Sequence, residues 1–190
     1  MTGLSSVAPQ AMGKRLQLLQ ELVPGVSRVM FLTNTAAAEA TGGTQEAEQA
    51  ARSIGVQLLV PNIATVADLV GALRTAVVDH AEALWVSPSP FIGGEVGQIM
   101  GLATAKRLPV LSGTRIFADA GGLLSYGPSQ LAQFRRAATH VDKILKGAQP
   151  GDVPVEQPTT FDFIINLKAA QALGLSVPPS VLQQATEVIQ

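Results

Sequence analysis

Short runs of uninterrupted apolar residues, spaced by longer stretches with helical periodicity, constrain this chain more than any other feature. The runs are 29–32, 58–60 within an expected strand over 56–60, 83–86, the pair Val110 and Leu111, and the pair Leu123 and Leu124 within an expected strand over 123–125. A strand that is apolar at every position, rather than at alternate ones, is covered on both faces. Between the runs, apolar side chains recur every three or four residues. Met12, Leu16, Leu19 and Val23 form one such series, and Leu69, Leu73, Ala76 and Val77 another. That spacing lines one face of a helix. Helices are therefore expected over 9–23, over a polar, Ala-rich stretch holding Gln45, Glu46, Glu48, Gln49 and Arg52, over 65–80 and over 94–106. Strands alternating with helices make βαβ units, which build a parallel sheet with helices on both faces and right-handed crossovers. The expected fold is α/β, a doubly wound parallel sheet with a C-terminal helical extension.

The alternation changes character around 118–129, Ala-Asp-Ala-Gly-Gly-Leu-Leu-Ser-Tyr-Gly-Pro-Ser. Gly121-Gly122 permits a sharp turn into the apolar run, since glycine carries no Cβ to clash at positive φ. Gly127-Pro128 is expected to end the run, because proline has no N–H for a sheet ladder. Ser129 offers an N-cap to a helix whose apolar face is Leu131, Phe134, Ala138, Val141 and Leu145. A Pro-rich connector follows over 150–158, then a strand over 161–165 and helical pieces over 168–173 and 179–189. The chain thus divides into an N-terminal helix (1–26), an α/β unit (27–127) and a C-terminal segment (128–190).

Composition removes several function classes. With 190 residues the chain can bury a substantial core. Net charge is −1 and aromatic residues are 4%, so neither an electrostatic footprint nor a stacking platform for nucleic acid is present. No Cys occurs, which removes disulfides, thiolate metal sites and a Cys nucleophile. The first residues, Met-Thr-Gly-Leu-Ser-Ser, have neither the basic nor the apolar part of a secretion signal. No G-x-G-x-x-G, Walker A or G-x-S-x-G pattern occurs. His80 and His140 each fall in the C-terminal half of an expected helix, away from other ligating residues, and read as half-exposed helix positions. No catalytic residue, metal site or cofactor is expected.

In open α/β sheets, ligands bind at the carboxyl ends of the strands. The loops to search are those at Asn34, at Ser87-Pro88-Ser89, at Gly113-Thr114-Arg115 and at Tyr126. Asn34 could bond a ligand or cap the next helix; Ser87 and Ser89 could read a carboxylate or close a rigid turn. Arg115 could clamp an anion or lie on the surface, Phe91 and Phe117 could cover a ligand or fill the core, and Tyr126 could touch a ligand or anchor a hinge. The candidate ligand-binding residues are Asn34, Ser87, Pro88, Gly113, Thr114 and Tyr126.

The stretch Phe117-Ala118-Asp119-Ala120-Gly121-Gly122-Leu123-Leu124-Ser125-Tyr126-Gly127 resembles the F-x-x-A-G-G-L-x-S-Y-G signature of the tryptophan/tyrosine-type ABC transporter substrate-binding proteins, which have the type I periplasmic fold. Gly13-Lys14-Arg15-Leu16, Val23-Pro24-Gly25-Val26, Arg135-Arg136-Ala137-Ala138, the stretch 141–147 Val-Asp-Lys-Ile-Leu-Lys-Gly, Pro154-Val155-Glu156-Gln157-Pro158 and the stretch 172–180 extend the match over essentially the whole chain. The resemblance implies a periplasmic or extracytoplasmic protein that traps a small solute, such as an amino acid, between two lobes and delivers it to an ABC permease. An effector-binding sensor acting through protein contacts is the alternative. It also implies that this chain starts at the first inter-lobe crossing and lacks the first lobe. The apolar stripe Leu131, Phe134, Val141, Leu145, Phe161 and Ile164 would then need cover, from the sheet or from a second copy in a homodimer. Thr35-Ala36 and Ser87-Pro88-Ser89 depart from the family pattern, and no carboxylate is in evidence for a ligand ammonium group.

Overall fold

The computed structural model describes residues 2–5, 10–40, 42–87 and 89–190. In chain order the elements are α1 (Gln10–Leu22), β1 (Arg28–Leu32), α2 (Thr35–Ala40), α3 (Gly43–Ser53), β2 (Gln57–Leu59), α4 (Val66–Thr75), β3 (Ala83–Val86), α5 (Pro90–Gly94), α6 (Val96–Ala105), β4 (Val110–Ser112), α7 (Arg115–Asp119), β5 (Leu124–Pro128), α8 (Gln130–Leu145), β6 (Phe161–Asn166), α9 (Leu167–Leu173), α10 (Pro179–Leu182) and β7 (Glu187–Ile189). All seven of these strands join one sheet, ordered β2-β1-β3-β4-β5-β6-β7. Every neighbouring pair is parallel except β5 and β6, which run antiparallel from Leu124 opposite Ile165 to Pro128 opposite Phe161.

The apolar runs are explained by two cores, one on each face. Val29, Phe31, Ala83, Trp85 and Leu111 point into a core shared with Leu18 and Leu22 of α1 and Ala47 of α3. Met30, Leu32, Leu84, Val86 and Val110 point the other way, against Leu69 and Leu73 of α4, Ile99 of α6 and Phe117 of α7. Adjacent residues of a strand face opposite sides, so a strand between two helical layers is apolar throughout. Helix ends are set locally. The Thr65 hydroxyl accepts the Asp68 N–H, while the Asp68 carboxylate accepts the Thr65 N–H at 2.9 Å, a reciprocal cap at the start of α4.

Several expectations change at the level of elements. The Ala-rich helix is α3, with the short helix α2 formed in the loop expected before it, and the helix expected over 94–106 is preceded by the separate turn α5, capped by Ser89 through the Ile92 N–H. β5 does not stop before Gly127-Pro128 but runs through both. Pro128 is tolerated because β4 has already ended at Ser112, so the missing N–H disrupts no ladder on that side. The stretch 179–189 is only a short helix, α10; its end is β7, paired with β6. Ile164, next to the equally buried Phe163, is buried in the sheet rather than set aside for an absent surface. Phe161 stacks on the Tyr126 ring, with centroids 5.6 Å apart. The residues of α8 remain uncovered: Leu131, Phe134, Val141 and Leu145 are all exposed, Leu145 by 81%. His140, on the opposite side of that helix, is buried rather than half-exposed, 3.3 Å from Glu156, which also receives a two-pronged bond from Arg136. His80, just past α4, is exposed and takes a left-handed backbone conformation.

Candidate functional site

The carboxyl end of the sheet opens into a crevice of about 900 Å³. Its floor is the ends of β4 and β5, with Gly113, Thr114, Ser125, Gly127 and Ser129. α7 supplies Arg115, Ile116 and Phe117 on one side, and β6 and the approach to β7 supply Asp162, Ile164, Thr186 and Glu187 on another. Arg15 of α1 and Ser89 at the start of α5 complete the wall.

The floor is shaped by two glycines. A Cβ on Gly127 would fall on the carbonyl oxygen of Gly113, so the two strand ends approach as closely as backbones can. A Cβ on Gly113 would stand 2.6 Å from Arg15 Nη2. The bare backbone at Gly113 is what lets the guanidinium reach the crevice from the other face of the sheet. Arg15 Nε donates to the Tyr126 carbonyl at 2.6 Å, which fixes the plane of the head group. Burial holds the Arg15 guanidinium below the usual arginine range, at about 10, with the Tyr126 side chain a smaller influence in the other direction. Arg15 is therefore still a cation at neutral pH.

The second arginine of the crevice is in a different state. Arg115 donates to both oxygens of Glu187 and, through Nε, to Asp119 at 3.0 Å. Its hydrogen bonds, first to Glu187 and then to Asp119, raise its pKa, and the Glu187 carboxyl is lowered by the bond it accepts from Arg115. This ion cluster ties α7 to β7 across the rim. Of the two readings of Arg115 made from sequence, an anion clamp or a surface residue, it takes the second: it is exposed, and its donors are occupied by carboxylates of this chain. Ser112 is fully buried and accepts the Thr114 N–H at 3.2 Å, which orients the loop leaving β4.

Of the six candidate residues, Gly113 and Thr114 line the crevice. Tyr126 lies beside it: its carbonyl orients Arg15, while its ring packs between Phe161 and Phe163 on the β6 side. Asn34 accepts the Ala37 N–H at 3.0 Å and caps α2, and Ser87 continues the β3 ladder through its N–H to the Leu32 carbonyl; neither lines the crevice. Pro88 lies outside the described residues. Phe117 is buried core that reaches the crevice wall. Arg15, Ser125, Ser129, Asp162 and Glu187 were not among the candidates. The absence of a carboxylate near the strand ends also needs correction, because β6 brings Asp162 there from the C-terminal segment. Arg15 had a signal. It occupies the same helical face as Ala11, Leu18 and Leu22, all buried, so its spacing marked it as an inward-facing charge. Asp162 and Glu187 had none, since only the antiparallel return of β6 places them.

Among the described residues no histidine or lysine lines the crevice. Among the described residues no three His, Asp or Glu side chains gather at metal-binding distance, and no helix is long and apolar enough to cross a membrane.

Comparison with known proteins places this arrangement. The family described as ABC transporter substrate binding protein matches residues 1–189. No curated protein matches the chain. Among solved structures, a conserved domain protein from Vibrio cholerae superposes with a TM-score of 0.88 at 24% identity, covering 98% of this chain and 62% of that one. An ABC domain in complex with L-Trp from Streptococcus pneumonia gives 0.87 at 24% identity, covering 99% and 64%. The ligand-free, open form of a substrate-binding protein with adhesive properties from Clostridium difficile gives 0.74 at 20% identity, covering 100% and 62%. The likeness in each case is one of fold. This chain spans a little under two thirds of the length of these proteins.

Proposed function

The chain belongs to the ABC transporter substrate-binding protein family, and from that membership we propose that it is the solute-capturing component of an importer. The solute is a small molecule of amino-acid type, held in the crevice at the ends of β4 and β5 while a second surface closes over it. The observation that carries this reading is the crevice itself: hydroxyls of Thr114, Ser125 and Ser129, an unpaired cation and a carboxylate converge on one opening, on a rigid sheet. A hinge closing on such a floor excludes water and strengthens each polar contact. The reading is capture without covalent chemistry, in keeping with a family described as substrate binding. Location outside the cytoplasm and an ABC permease as partner belong to the same proposal. The solved relative with L-Trp bound makes that amino acid the first ligand to try.

The test is calorimetric titration of the protein with the standard amino acids, L-tryptophan first, each as the free acid. Saturable binding of at least one, weakened when Thr114 or Ser125 is replaced by Val, is expected. Heats no larger than dilution across the whole panel would refute an amino-acid solute.

The exposed face of α8 supports a further part of the proposal, self-association. Phe134 is 74% exposed and Leu145 81%, and apolar area left in water costs about 25 cal/mol per Å². Sedimentation velocity at rising concentration should show a dimer that Phe134→Glu with Leu145→Glu converts to monomer. A wild-type protein that stays monomeric at every concentration would refute it.

A further inference from the structure

We propose that Arg15 is an anion-binding anchor, and that the solute of this crevice carries a carboxylate, which the Nη1 and Nη2 groups of Arg15 grip end-on. The proposal rests on the solute-capture reading and deepens it by naming the group that is recognised.

Arg15 is 5% exposed, and a lone buried charge is among the costliest arrangements a fold can hold. Such charges are paired. None of the ion pairs among the described residues includes Arg15. Its one hydrogen bond there is Nε to the Tyr126 carbonyl, a neutral acceptor. Asp162 lines the same crevice but forms no ion pair with it, and Glu187 is occupied by Arg115. Two terminal nitrogens, with four N–H donors between them, are left at the crevice wall without an acceptor.

The arrangement is built rather than incidental. With Nε occupied, the accessible edge of the guanidinium is the Nη1–Nη2 pair, whose parallel N–H bonds match the two oxygens of a carboxylate. The Tyr126 carbonyl sets the plane of that fork. Gly113 leaves the space into which Nη2 projects, since any side chain there would displace it. The two crevice arginines make the contrast plain. Arg115 is exposed and satisfied by two carboxylates of its own chain; Arg15 is buried and has none. A carboxylate arriving with the solute supplies the missing counter-charge at the crevice wall.

The experiment uses the full chain and its Arg15→Met variant, which keeps an unbranched stem and removes the guanidinium with its charge. In the first arm, the Arg15 Nε–Hε signal is followed by ¹H–¹⁵N NMR during titration with acetate and, separately, acetamide. A saturable shift with acetate alone is expected; equal response to both, or to neither, overturns the proposal. In the second arm, each amino acid of the panel above is compared with its C-terminal amide by calorimetry. Loss of the carboxylate, or of Arg15, should each weaken binding by about ten- to a hundredfold. Acids and amides that bind alike, or an Arg15→Met variant with unchanged affinity, would overturn the anchor while leaving solute capture standing. Conversely, an acetate-specific shift with no binding anywhere in the panel would uphold the anchor and refute the amino-acid solute. The ligand-free melting temperature of Arg15→Met separates the role from that of a structural strut. It should equal or exceed that of wild type, and a marked fall with acid-over-amide selectivity retained in the variant would overturn the proposal.

Discussion

Replacing Gly127 by Ala and Gly113 by Ala should have opposite kinds of consequence, although the two residues touch. A Cβ on Gly127 would land on the Gly113 carbonyl oxygen, 2.9 Å from its carbonyl carbon and 3.3 Å from its Cα. Carbon atoms in contact sit at about 3.5–4.0 Å, and both obstacles are backbone. Neither strand end yields easily, because Gly127 is paired with Asp162 of β6 and Ser112 with Ser125 of β5. Forced overpacking of this kind costs about 3 kcal/mol, the upper end of the usual range. Alanine recovers about 0.4–1 kcal/mol by restricting the unfolded chain, which leaves a net loss of about 2 kcal/mol. For a domain of this size, that is a fall in melting temperature of about 4–8 °C. A Cβ on Gly113 meets instead the tip of Arg15, at 2.6 Å from Nη2 and 2.9 Å from Cζ. A side-chain tip can swing toward the crevice mouth, so Gly113→Ala should cost about 1 kcal/mol or less and mainly displace the guanidinium. The assay is calorimetry together with urea unfolding followed by fluorescence of Trp85, the single tryptophan, which is fully buried against Phe31. A Gly127→Ala protein melting within about 2 °C of wild type, or a Gly113→Ala protein losing more stability than Gly127→Ala, would refute the packing argument.

Other changes test separate parts of the fold. Thr65→Ala removes the hydroxyl that accepts the Asp68 N–H and should cost about 1 kcal/mol, read as a lower midpoint in urea. Arg107 ends α6 in a left-handed conformation (φ 55°) while exposed; Arg107→Gly should raise the melting temperature by about 2–4 °C, since a Cβ there costs about 1 kcal/mol. The Glu156 carboxyl is held down to about 2 from the ordinary 4.5, chiefly by hydrogen bonds from Arg136. A carboxyl depressed in the folded state stabilises it above the unfolded pKa and ceases to do so as pH falls through the folded one. The melting-temperature gap between wild type and Glu156→Gln should therefore be full at neutral pH and close as the pH falls from 4.5 toward about 2. A gap independent of pH would assign the effect to something other than the charge.

The strands between two helical layers were readable because their chemistry is unambiguous. Ala83 to Val86 is buried at every position, with Ala83 and Trp85 on one face and Leu84 and Val86 on the other, and nothing but a doubly covered strand explains four such residues between polar segments. β7 was not readable for the opposite reason. The stretch 179–189 contains Val181, Leu182, Ala185, Val188 and Ile189 at spacings compatible with a helix, and only pairing with β6, an interaction distant in sequence, turns its end into a strand. The persistence of β5 through Pro128 was hidden likewise, because it depends on β4 having stopped first.

The candidate site divides along the same line. Gly113 and Thr114 could be found by position alone, since the loop after an inner strand of a parallel sheet opens at the ligand-binding end. Asn34 and Ser87 met the same positional test, yet Asn34 spends its amide oxygen on the cap of α2, and Ser87, bonded through its backbone N–H to the end of β1, lies outside the crevice lining. Position identifies where a ligand can lie, but it does not say which polar groups remain unused after the chain has satisfied its own. That residue of unmet bonding is a property of the folded whole. Arg115 stands at the strand end, where sequence reasoning looks for an anion clamp, and has no donor to spare. Arg15 comes from a helix preceding the first strand, arrives through the gap left by Gly113, and keeps its two terminal nitrogens in reserve. The stretch around Gly121-Gly122 and Gly127-Pro128 accordingly does more than carry the chain out of one strand and into α8. It brings the Tyr126 carbonyl and the bare Gly127 backbone to the point where Arg15 is oriented and Gly113 can approach, so the motif most visible in the sequence frames a binding group located more than a hundred residues away from it.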